Sequence, residues 1–167
     1  MNIKDIKVPD TNFIVAEFVP SALFDPIRPD RFSRYCSLPL VNFAQEIRNH
    51  FGKSMIINNK VYGGVWDYRG YRNPGCGVGA PNSAHYRNMA IDFNIKGLSD
   101  LEVRQELVNN YEELGITIIE DNHNGWVHAG FEWFIGNEND LAVFDAKTNI
   151  MTFLDGWHAS KYKVKEG

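Results

Sequence analysis

Apolar residues along the chain fall into two helical patterns and several strand-like ones. From Leu40 they recur as Leu40, Phe43, Ala44, Ile47 and Phe51, the i, i+3, i+4, i+7 spacing of an amphipathic helix, and Gly52 supplies a stop. A second helix is predicted from the capping box of Ser99 and Glu102, with Val103, Leu107, Val108, Tyr111 and Leu114 tracing one face as far as Gly115. Ser54 to Asn58 is a short apolar run that suits a buried strand. From Met89 to Ile95 the period changes to two: Met89, Ile91, Phe93 and Ile95 share one face, and Ala90, Asp92 and Asn94 share the other. Further strands are predicted over 116–120, 125–129, 131–135, 141–144 and 149–154, joined by turns containing Asn, Asp and Gly. With helices early and most strands late, the pattern predicts an α+β domain with a small antiparallel sheet and the helices packed on one of its faces.

The remaining segments lack periodicity. Pro9, Pro20, Pro26 and Pro29 alternate with Phe13, Phe18 and Phe24, which predicts an irregular arm over residues 1–35. Between Val61 and Asn82 stand six glycines and two prolines with Tyr62, Trp66, Tyr68 and Tyr71 interleaved, a long structured loop of the kind that carries function. Residues 156–167 read as a tail or a closing strand, and the whole chain, 1–167, as one domain.

Composition narrows the classes of function. At 44% hydrophobic and 23% charged residues the chain has the make-up of a protein that folds by itself. Its 17 basic and 21 acidic residues leave a net charge of −4, so neither nucleic acid nor an anionic membrane is an expected partner, and a monomer is expected. Cys36 and Cys76 form no C-x-x-C pair and are expected to be free thiols. The start, Met1 to Lys7, lacks the apolar core of a secretory signal, so synthesis in the cytoplasm is expected.

The chemistry rests on few candidates. Of the five histidines, His85 sits at the mouth of the glycine-rich loop, and Asp92 follows seven residues later on the polar face of a strand. His128 shares a strand face with Trp126. Two imidazoles and one carboxylate suit a single Zn2+ per chain and leave a fourth position for water. Zinc lowers the pKa of such a water toward about 7, as peptide hydrolysis requires.

The wording around these residues sharpens the expectation. Ser83-Ala84-His85-Tyr86-Arg87-Asn88-Met89-Ala90-Ile91-Asp92 resembles the S-x-H-x-x-G-x-A-x-D signature of the M15 family of zinc D-Ala-D-Ala carboxypeptidases and phage peptidoglycan endopeptidases. Trp126-Val127-His128 resembles the family's W-x-H, and Arg69-Gly70-Tyr71-Arg72-Asn73-Pro74 its S-G-Y-R-S-P segment, in the same order along the chain. The resemblance implies a Hedgehog/DD-peptidase-like fold, with zinc held by His85, Asp92 and His128. It also implies contacts of Arg72, Ser83 and Trp126 with the peptide part of peptidoglycan. Two positions depart from the family pattern. Asn88 replaces a glycine, and asparagine best tolerates a positive φ after glycine. Gly125 stands where many members carry the catalytic carboxylate. A phage-type I-x-E…W-V-H arrangement matches Ile118-Ile119-Glu120 instead, which makes Glu120 the expected general base and Asp121, on the opposite face, the reserve should a bulge shift the alternation.

The implied activity is zinc-dependent hydrolysis of an amide bond in the stem peptide, as an M15-like D,D-carboxypeptidase or endopeptidase, by a phage lysis or virion-associated protein. D-Ala-D-Ala, L-Ala-D-Glu and cross-bridge bonds all remain open as the target. The rival is a non-catalytic cell-wall-binding or virion structural protein that keeps the fold. His123 is expected at a hairpin tip and His50 as a cap on the carbonyls of the first helix. Tyr62, Trp66, Tyr68 and Trp133 are read either as lining a groove or as filling the core.

Overall fold

The computed structural model describes residues 2–122, 125–131 and 140–167. Its first helix, α1 (Leu38–Phe51), ends at Gly52, whose left-handed backbone lets its N–H reach the Arg48 and Asn49 carbonyls. The second, α2 (Asp100–Asn109), starts at the predicted capping box but stops six residues short of Gly115. Asn110 turns the chain there: its side-chain amide donates to the Glu106 carbonyl at 2.9 Å and so satisfies an acceptor at the helix end. Tyr111 and Leu114 are still buried, now from a turn.

Six strands form one sheet: β1 (Met55–Ile56), β2 (Ala90–Ile95), β3 (Ile118–Asp121), β4 (Val127–Gly130), β5 (Leu141–Asp145) and β6 (Ile150–Leu154), in the order β1-β2-β4-β3-β5-β6. The sheet is mixed, which corrects the expectation of an antiparallel one, because β5 runs parallel to β3. The reason is geometric. Both edges of β4 are taken, by β2 and β3, so β5 pairs at the open edge of β3. Running opposite to β4 there makes it parallel to β3. The strand expected over 131–135, with Trp133, lies outside the described residues beyond Phe131, as does His123.

One face of the sheet is dry. Ile91, Phe93 and Ile95 of β2, Val127 and Ala129 of β4, Ile119 of β3 and Val143 of β5 join Leu40, Ala44 and Ile47 of α1 and Val103 and Leu107 of α2 in a single core. The arm before α1 has no long element but belongs to this core: Phe13, Phe18, Val19 and Phe32 are all buried in it. Phe13 and Phe18 meet edge to face at 5.2 Å.

The C-terminal stretch closes that side. A short helix, α3 (Gly156–Ala159), follows β6, and the chain then returns to β3. There the Tyr162 hydroxyl donates to the Asp121 carboxylate at 2.7 Å, and the Lys165 backbone N–H donates to it at 3.0 Å. Asp121 is fully buried on the core face, where the alternation of β3 holds without a bulge and its carboxylate anchors the tail. Removing a buried acceptor leaves its donors unpaired. Asp121→Ala is therefore expected to cost about 2–4 kcal/mol of folding stability by urea denaturation while leaving divalent-metal affinity unchanged.

Candidate metal centre

The opposite face of the sheet carries the polar side chains that alternation set apart. Asp92 of β2 pairs directly with His128 of β4, which puts both side chains on this face. His85 comes from a 3-10 turn, Ala84–Arg87, just before β2. That turn reverses through Asn88 in the left-handed region (φ 57°, ψ 40°), as expected of an asparagine in a glycine's place.

The three side chains converge. His128 Nδ1 lies 2.7 Å and His85 Nε2 3.3 Å from the same carboxylate oxygen of Asp92, and the two ring nitrogens are 3.3 Å apart. One donor atom from each lies within 4.8 Å of the others, a candidate site for a metal ion. The donor set fits a divalent cation that accepts imidazole and carboxylate.

Each donor is oriented from behind. His85 Nδ1–H donates to the Gly70 carbonyl at 2.7 Å, which leaves Nε2 with its lone pair toward the other two residues. Gly70 can do this only as glycine, since a Cβ there would overlap the Phe18 backbone, its Cα 2.7 Å away. The buried arm thus holds the loop that holds the histidine. The second oxygen of Asp92 accepts from Arg72 Nη2 at 2.6 Å, and Arg72 is itself fixed by Nε donating to the Tyr68 carbonyl at 2.7 Å. Its Nη1 reaches Ser83 Oγ at 3.4 Å. Arg72 and Ser83, expected at the substrate, line the cavity as well, with Arg72 engaged on the Asp92 carboxylate.

Electrostatics follow from this packing. Burial alone would raise the Asp92 carboxyl, but the charges and hydrogen bonds of His85 and His128 outweigh it and hold the group well below the usual carboxylate range. Burial keeps His85 below the ordinary imidazole value and neutral. Burial also opposes charge on His128, yet its hydrogen bond to Asp92, and then the Asp92 and Glu120 carboxylates, raise it above that value. In the metal-free protein the His128 proton bridges to Asp92, and a cation would replace that proton.

A cavity of about 630 Å³ opens over the three residues. Arg72, Ser83 and residues 78–80 line it from the segment before β2, Ile118, Glu120 and Met151 from the sheet, and Trp126 from just before β4. Glu120 is half-buried and belongs to the row that includes His128: Ile118 pairs with Gly130, and both strands alternate from there.

Several supporting residues escaped the sequence reading. The Arg69 guanidinium lies 3.6 Å over the Trp66 ring and 5.5 Å from that of Trp126, and it donates to Asn94 at 2.6 Å. Burial brings its pKa down to about 10. Trp66 therefore backs the cavity wall through Arg69, while Tyr62 is exposed and lies outside the cavity, as does Tyr68. Asp100, at the start of α2, accepts the Gly125 N–H at 2.7 Å, and the Gly125 carbonyl accepts from Asn94 at 3.0 Å. Gly125 sits at φ 99°, a backbone conformation that favours glycine. His50 does not cap α1. Gly52 does, and His50 Nε2 meets Glu106 of α2 at 2.9 Å.

Metal titration checks the centre. One divalent cation per chain is expected, with binding lost in His128→Ala. Because a proton on His128 competes, affinity should fall about tenfold per pH unit once pH drops below that residue's raised pKa, and no such loss should appear well above it. Affinity independent of pH from 8 to 5 would contradict this arrangement. No protein-family model, curated protein or solved structure matches the chain.

Proposed function

We propose that the protein is a zinc metallopeptidase that hydrolyses an amide bond in the peptide part of bacterial peptidoglycan. The observation that carries the reading is the convergence of His85, Asp92 and His128 on one point, beside Glu120 and inside an open cavity. Cavities of a few hundred Å³ with convergent polar groups are the usual form of a catalytic site. The M15-like motifs around the same residues support zinc as the metal and the stem peptide as substrate, and a Hedgehog/DD-peptidase-like type for this α+β fold.

His85, Asp92 and His128 would hold the zinc, which would supply Lewis acidity toward the scissile carbonyl and a water made nucleophilic near neutral pH. The chain's own residues do the rest. Glu120, on the same sheet face as His128, takes the proton from the attacking water and returns it to the leaving amine, so the C–N bond breaks as carboxyl and amine ends form. Arg72 holds the Asp92 carboxylate in position, Gly70 keeps His85 in one tautomer, and Trp126 shapes the wall along which the peptide lies. Ser83 offers a hydroxyl to the substrate backbone from the cavity lining. A phage lysis or virion-associated setting fits this substrate.

The non-catalytic rival drew its support from the absence of a carboxylate at Gly125. Glu120 lines the cavity and supplies that group from the neighbouring strand, which favours the enzyme. Glu120→Gln separates the two readings. It is expected to bind zinc like wild type and to lose about 10²–10⁴-fold in kcat on stem peptides. Full activity in that variant would remove Glu120 from the mechanism.

A further inference from the structure

The face that carries the metal centre does not end at Glu120. Register across the sheet continues the row: Glu120 pairs with Phe144 of β5, and Phe144 with Met151 of β6. Directly paired residues project from the same face, so His128, Glu120, Phe144 and Met151 stand side by side. Ala142 and Phe153 form the next row on that face, paired with each other and, through Ala142, with Ile118. Met151 and Phe153 are large apolar side chains, 37% and 47% exposed, and Met151 lines the same cavity as the metal triad. Among the described residues an apolar strip thus leads out of the cavity.

We propose that Phe144, Met151 and Phe153 form an extended subsite that binds the substrate peptide on the Glu120 side of the scissile bond. The inference rests on the peptidase reading and adds a length requirement to it. From β4 to β6 is three strand spacings, about 14 Å, which an extended peptide covers in about four residues. A dipeptide held at the metal spans about half of that distance, whereas a stem-length peptide spans all of it. The strip carries no charged side chain, so it suits the methyl groups of alanine residues rather than a free carboxylate or an ammonium terminus. The enzyme is accordingly selective for peptides of four or more residues over D-Ala-D-Ala alone.

Methionine methyl groups give a direct readout. Protein carrying 13C-methyl methionine, loaded with zinc and made inactive by Glu120→Gln, is titrated with an acetylated and amidated stem pentapeptide and, separately, with D-Ala-D-Ala. The pentapeptide is expected to shift the Met151 signal and leave that of buried Met55 in place, and D-Ala-D-Ala to shift neither. Met151→Asp should weaken pentapeptide binding about tenfold, and Met151→Leu should restore it, because leucine keeps the apolar volume. Pentapeptide hydrolysis by the active enzyme with no shift at Met151 would overturn the subsite and leave the peptidase standing. A pentapeptide that is neither bound nor cut would overturn both.

Discussion

One buried carboxylate organises this protein. Asp92 is taken out of water in the middle of a sheet, where an unpaired charge would cost several kcal/mol, and it stays ionised because every side of it is compensated. His85 and His128 approach one oxygen and Arg72 the other. The backbone N–H of Asp92 donates to the Arg69 carbonyl at 2.7 Å, which ties the glycine-rich loop to β2 beside the centre. Removing any of these partners leaves charge uncompensated in the interior, so the binding site and the local fold share one set of interactions.

The irregular segments take their shape from this requirement. Residues 61–82 have little regular structure, yet they deliver the Gly70 carbonyl to His85, the Arg72 guanidinium to Asp92 and the Arg69 guanidinium to the two tryptophans. Phe18, buried in the core, meets the loop at Gly70, where the backbones approach too closely for any side chain, and accepts the Tyr71 N–H at 2.7 Å. On the other side, Asp100 and Asn94 grip Gly125 just ahead of Trp126 and β4, which sets where Trp126 stands relative to the triad. Among the described residues no helix is long and apolar enough to cross a membrane.

Local chemistry was legible in the sequence; long-range pairing was not. Alternation from Met89 to Ile95 already placed Asp92 opposite the core, and the helical spacing of Leu40 to Ile47 found α1, because each depends only on neighbours along the chain. The parallel pairing of β5 with β3 could not be read that way, since a strand's alternation is the same in either direction and the choice was made by which sheet edge remained open. The fixing of Arg72 on Asp92, the approach of Arg69 to Trp126 and the clamp on Gly125 join residues 20 to 57 positions apart. The early end of α2 depended on a single asparagine side chain, and the docking of Tyr162 and Lys165 on Asp121 on burial that composition does not reveal.

The activity proposed for this centre is hydrolysis of a peptide bond of the cell wall. Its most direct test is mass spectrometry of purified peptidoglycan digested by the zinc-loaded protein in 18O-labelled water. New amine ends and new carboxyl ends carrying one 18O are expected, all absent after the metal is chelated. Zinc bound at one per chain with no new ends released would contradict it.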